Sequence, residues 1–103
     1  MLAAATAMAA LGLAAPAASA SDVGVLAHPT GCSYGKWQGD SSYAECTRSN
    51  GGSYRAIVVC TPLDGGPLVT RMPRAWVTSG QSVVFCPPMT VYNYSGIETR
   101  ASS

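Results

Sequence analysis

Ser53-Tyr54-Arg55-Ala56-Ile57-Val58-Val59-Cys60 is the stretch whose reading decides the fold. It is β-branched through its centre, opens on an aromatic, and follows Asn50-Gly51-Gly52, a strong turn signal. Ile57, Val58 and Val59 are apolar in succession, the pattern of a strand covered on both faces. Outward from it the punctuation is regular. Pro62 and Asp64-Gly65-Gly66-Pro67 predict a turn, Leu68-Val69-Thr70 begins a short strand, and Pro73 ends it. Ala75-Trp76-Val77-Thr78 reads as another short strand. Ser79-Gly80 then turns the chain into Gln81-Ser82-Val83-Val84-Phe85-Cys86. Pro87-Pro88 stops that strand, because proline donates no N–H to a ladder. Thr90-Val91-Tyr92-Asn93-Tyr94 alternates its tyrosines on one face, and Gly96-Ile97-Glu98-Thr99 predicts a last edge strand. Residues 21–52 are polar and glycine-rich, with Tyr34, Trp37 and Tyr43 as isolated anchors and no legible strand boundaries. Turn signals recur about every 8–12 residues and no stretch within residues 21–103 keeps a helical period, so the fold class is all-β: a small antiparallel sandwich or barrel.

The start of the chain reads differently. Residues 2–15 are almost all Ala, Leu and Met, interrupted by Thr6 and Gly12, and Pro16 follows. That run has the length of a secretory apolar region and is too short to span a membrane. Ala18-Ser19-Ala20 fits the small-residue pocket of a signal peptidase, although no Lys or Arg follows Met1. The expected division is therefore a signal peptide over residues 1–20, cut after Ala20, and a secreted β-rich domain over residues 21–103 with no membrane span. Alanine is the best helix former, so a helix is expected within the leader. Sixteen of the first twenty residues are apolar, and without them the 48% hydrophobic content falls to about 40%.

Cys32, Cys46, Cys60 and Cys86 lie in those 83 residues, with no C-x-x-C and a single histidine. This pattern argues against a structural zinc site or a thioredoxin-type motif, and export makes disulfides the default. Of the three connectivities, Cys32–Cys46 and Cys60–Cys86 are expected. Loops of that size stabilise a fold by about 3 and 3.5 kcal/mol in the chain-entropy description. A domain this small lies in the size range where such cross-links help. Six basic and five acidic residues are scattered along it for a net charge of +1, which leaves no electrostatic footprint for nucleic acid or an anionic membrane.

Chemistry has few places to form. His28 precedes Pro29 near the domain's start and reads as a solvated loop residue rather than a catalytic base. Asp40, Glu45, Asp64 and Glu98 show no spacing that singles out an acid–base pair. There is no glycine-rich phosphate loop. No catalytic, metal or cofactor residue is assigned, and a non-enzyme is expected. Tyr34, Trp37, Tyr92 and Tyr94 offer the aromatics of a sugar-binding platform, but the favoured reading makes Trp76 and Tyr54 core and the others amphipathic surface. Thr70-Arg71-Met72-Pro73-Arg74 is either a solvated turn, the favoured reading, or an exposed basic loop able to enter a protease cleft.

Several stretches carry a resemblance: Tyr54-Arg55-Ala56 with Cys60, Ala75-Trp76-Val77-Thr78-Ser79-Gly80-Gln81-Ser82, Cys86-Pro87-Pro88, and Gly96-Ile97-Glu98-Thr99-Arg100. Over roughly Ser53–Arg100 the chain resembles the small four-cysteine secreted proteins of actinobacteria, a group that brings no activity with it. The cysteine layout is also similar to that of bacterial α-amylase inhibitors and subtilisin inhibitors. The amylase inhibitors' Trp-Arg-Tyr triplet is absent, since Gln38-Gly39 follows Trp37. The subtilisin inhibitors would place Cys-Pro and a scissile residue after the third cysteine, where Thr61 intervenes and Asp64 would follow the cut. Neither likeness transfers a site residue. The resulting expectation is a non-catalytic exported domain that contacts an extracellular protein or surface, the alternative being an inhibitor of a secreted hydrolase.

Overall fold

The computed structural model describes residues 26–103. The expected leader, its helix and the cut after Ala20 lie outside the described residues. Six strands follow in order: β1 (Thr30–Lys36), β2 (Ser41–Arg48), β3 (Ser53–Pro62), β4 (Val69–Arg71), β5 (Gln81–Phe85) and β6 (Thr90–Arg100). They form two antiparallel three-stranded sheets, β1-β2-β5 and β4-β3-β6, with the core between them. The all-β, disulfide-stapled architecture expected from the sequence is the one observed.

Asn50 (φ 55°) and Gly51 (φ 82°) make the turn between β2 and β3, closed by Gly52 N–H donating to Ser49 O at 2.7 Å. Two positive φ values in succession define a type I′ turn, which ordinarily joins two paired strands. Here it carries the chain from one sheet to the other. Gly52 is irreplaceable on steric grounds. A Cβ there would lie 2.4 Å from Arg100 O and 2.5 Å from Ala27 O, where the two ends of the described chain converge.

Three expectations need correction. Residues 30–48, in which no strand was legible, form the β1–β2 hairpin. Edge strand β1 is mostly exposed, and β2 buries Ser41, Ser42, Ala44 and Cys46, so neither shows an apolar alternation. Thr90–Tyr94 and Gly96–Thr99 are one strand, because Ser95 and Gly96 continue the ladder opposite Val58 and Ile57. A bulge at Val59/Cys60 pairs Tyr94 with Val59 and Tyr92 with Cys60, and leaves Asn93 extra. The two tyrosines therefore leave opposite faces instead of sharing one. Finally, Ala75–Thr78 is reduced to a single bridge between Tyr54 and Val77.

The core is small. Ala44, Ala56, Val58, Cys60 and Val84 are buried, flanked by Cys86, Tyr92 and Ile97. Hydroxyls complete the interior: Ser42 and Ser95 meet across the sheets at 2.6 Å, and Tyr92 OH reaches Ser95 at 2.7 Å. Fully buried Tyr54 donates its hydroxyl to Gly80 O. Cys60–Cys86 joins β3 of one sheet to the residue after β5 of the other, while Cys32–Cys46 links opposed residues of β1 and β2.

Ser82 has a defined task. Along one edge of β3, Tyr54 pairs with Val77 and Val58 with Arg71, so Ala56 N–H faces a gap between them. Ser82 Oγ, from the opposite sheet, accepts that N–H at 2.9 Å. A buried donor without an acceptor costs its full desolvation. Ser82→Ala should accordingly lower unfolding stability by about 1–3 kcal/mol in a urea titration. Gln81→Ala, at the exposed neighbour, should stay within about 0.5 kcal/mol; equal effects at the two positions would refute this role.

Candidate functional site

Two surfaces combine exposure with an imposed geometry. The first is the tip beside Cys60–Cys86. Pro62-Leu63-Asp64-Gly65 folds into a turn closed by Gly65 N–H on Pro62 O at 3.3 Å. Asp64 Oδ1 accepts Gly66 N–H at 2.9 Å, the local bond that suits aspartate to turns. Pro87-Pro88-Met89-Thr90 makes a second turn, in which Thr90 Oγ1 donates to Pro87 O at 2.7 Å. Leu63 N–H donates to Met89 O at 2.9 Å and ties the two turns together.

From these turns project Leu63 (62% exposed) and Met89 (72%), while Phe85 at the end of β5 and Leu68 before β4 are also exposed. Asp64 is the sole charged residue within 60–70 and 85–91. Met89 adopts φ 66°, a left-handed conformation normally left to glycine or asparagine. Asn50, the other such residue among the described ones, bonds through its side chain to His28 O at 3.1 Å and Thr30 Oγ1 at 3.0 Å. Met89 has no side-chain polar group able to offset its backbone in this way.

The second surface lies on the outer face of the β4-β3-β6 sheet. Arg55 Nε donates to Glu98 Oε1 at 2.8 Å, and Arg55 Nη1 to Pro73 O at 3.1 Å. Its guanidinium sits 4.3 Å from the centre of the Trp76 ring, and that of Arg100 sits 4.2 Å from the same ring. Arg100 is held by Ser53 Oγ at 2.8 Å and Ser102 O at 3.1 Å. Trp76, expected in the core, is instead half-buried against two planar cations. Guanidinium groups stack on indole and shed water readily, so the ring is packed without entering the small interior. This stack holds residues 72–76 over the sheet. Met72, Arg74 and Ala75 are exposed at the crest.

The remaining candidates are dispersed. His28 Nδ1 lies 2.8 Å from Thr99 Oγ1. Asp40 Oδ1 accepts Tyr92 N–H at 3.0 Å, Asp64 serves its own turn, Glu98 pairs with Arg55, and Glu45 is exposed on β2. Trp37 leans on Tyr43 with ring centres 6.0 Å apart, and Lys36 Nζ stands 5.6 Å over Tyr92. Tyr34 and Tyr94 are exposed on different sheets. The aromatics that sequence offered for a sugar platform are thus not gathered on one face. Among the described residues, no three metal-ligating side chains come together, and no helix is long and apolar enough to cross a membrane. No family model, curated protein or solved structure matches the chain.

Sequence reasoning had singled out Trp76 and the Thr70–Arg74 loop but not the partners that fix them. Arg55 and Arg100 are 45 positions apart and meet Trp76 only because β3 and β6 are neighbours. Trp76→Ala should cost about 1–2 kcal/mol in urea unfolding, the sum of two partly exposed stacking contacts. Arg55→Lys keeps the charge but not the plane, and should lose most of the Arg55 share; full retention would show that charge alone suffices.

Proposed function

We propose that the chain is a small exported, non-catalytic domain that binds an extracellular protein through the tip that carries Leu63 and Met89. The conformation of Met89 carries this reading. Glycine would relax the backbone there, yet the position holds a large apolar side chain that is 72% exposed. Backbone strain retained beneath an exposed apolar group is characteristic of contact sites. Met is also a side chain that adapts to varied apolar partners. The tip lacks cations for an anionic surface and stacked aromatics for a sugar, which favours a protein as partner. Two disulfides in so small a domain are consistent with an oxidising space, and the leader-like residues 1–20 and the resemblance to actinobacterial four-cysteine secreted proteins support export. The dispersal of His28, Asp40, Glu45, Asp64 and Glu98 supports a role without catalysis.

Met89→Gly separates structure from contact. It should leave the thermal midpoint equal or higher, because about 1 kcal/mol of left-handed strain is relieved. It should also abolish retention of the protein that the immobilised wild-type domain captures from culture medium or cell-wall extracts. Unchanged retention by Met89→Gly and by Leu63→Ser would refute the tip as the contact.

A further inference from the structure

The loop over the outer sheet face has features that the tip does not use. Arg74 is exposed at its crest and makes no side-chain hydrogen bond or ion pair among the described residues. Every other arginine of the outer face is engaged: Arg55 with Glu98 and Pro73 O, and Arg100 with Ser53 and Ser102 O. The peptide after Arg74 leads to Ala75, and the residue before it is Pro73. Backbone fixation lies close on both sides. Upstream, Arg71 pairs with Val58 and Arg55 Nη1 grips the carbonyl of Pro73. Downstream, Trp76 lies against two guanidinium groups, and Val77 exchanges both backbone bonds with Tyr54 at 2.9 Å.

We infer that Met72-Pro73-Arg74-Ala75 is a second binding site, which enters the cleft of a trypsin-like secreted serine protease with Arg74 in its anionic primary pocket and thereby inhibits it. A carboxylate at the base of that pocket selects an unpaired guanidinium. A small residue after Arg74 clears the protease's leaving-group side, and Pro73 fixes the backbone before it. A flexible segment would lose entropy on entering the cleft and leave once cut, whereas this one is ordered in advance. Hydrolysis would add water across Arg74–Ala75, but both new ends would remain fastened to the sheet and hold the cleft. Arg71 does not serve, because its backbone is engaged in the β3–β4 ladder and its guanidinium bonds Thr70 O at 3.1 Å. The loop begins eight residues after Asp64, on the far side of β4, so it is not the Cys60–Asp64 segment where the likeness to subtilisin inhibitors would put a cut, and the inference does not depend on the tip.

The test titrates trypsin with the oxidised wild-type chain and measures residual activity on a small arginine substrate. Stoichiometric inhibition is expected, with subtilisin, whose pocket lacks the carboxylate, inhibited far less. Arg74→Ala should weaken inhibition roughly a hundredfold or more, as loss of a central anchor does. Arg74→Lys should stay within about tenfold, since an ammonium also pairs with the pocket carboxylate by its charge. Arg71→Ala and Met89→Gly should leave inhibition unchanged, which separates this site from the tip. Thermal unfolding of each variant confirms that an exposed substitution has left the fold intact. Three results would each overturn the inference: no inhibition by folded wild-type protein at micromolar concentration, inhibition indifferent to Arg74→Ala, or cleavage at Arg74–Ala75 with rapid release of an active protease.

Discussion

The Cys60–Cys86 disulfide is the interaction on which the other features depend. It is the covalent link between the two sheets, and it lies at the core rather than at the surface: Cys60 is fully buried and Cys86 packs against the same cluster. The apolar side chains it joins are small, Ala44, Ala56, Val58 and Val84. Transfer of so little apolar surface from water stabilises a sandwich only modestly, so restricting the unfolded chain carries much of the fold. The same bond sets the turns at 62–65 and 87–90, and through them the exposed tip.

β3 is the second organising element. Its inner face supplies Tyr54, Ala56, Val58 and Cys60 to the interior, while Arg55 on the outer face fixes the loop over 72–76. The gap in the ladder between Tyr54 and Val58 is what lets that loop rise from the sheet, and Ser82 supplies the acceptor that the gap would otherwise remove. Other buried serines are similarly matched, with Ser41 Oγ on Gln38 O at 2.6 Å and Ser53 Oγ on Ser102 O at 2.6 Å. Partnered hydroxyls fill a narrow interface at little cost, whereas an unpartnered one would destabilise it. A stiff frame of this kind presents its loops with little ordering left to do on binding.

What the sequence made legible follows from the same physics. β3 and β5 were readable because apolar β-branched residues fill them and glycine or proline bounds them. The two disulfide pairs and the turn at Asn50-Gly51 were also as expected. β1 and β2 were hidden because an edge strand and a serine-lined strand show no apolar period. The split of Tyr92 from Tyr94 depends on a bulge that only the pairing with Val59 and Cys60 reveals. Trp76 read as core because it lies in a strand-like run, and its two arginine partners come from distant strands. Met89 carried no signal at all, since its left-handed backbone is imposed by the turn that Pro87-Pro88 begins.

The central claim, that the inter-sheet disulfide holds the fold, is tested most directly by comparing the unfolding free energies of two double variants, Cys60→Ala with Cys86→Ala and Cys32→Ala with Cys46→Ala. The loop-entropy difference between them is only about 0.5 kcal/mol, but removing the buried pair also leaves a cavity at the sheet interface. The Cys60/Cys86 variant should lose about 3.5 kcal/mol or more and fail to give a cooperative transition, while the Cys32/Cys46 variant still unfolds cooperatively after losing about 3 kcal/mol. A Cys60/Cys86 variant as stable and cooperative as its counterpart would contradict the account.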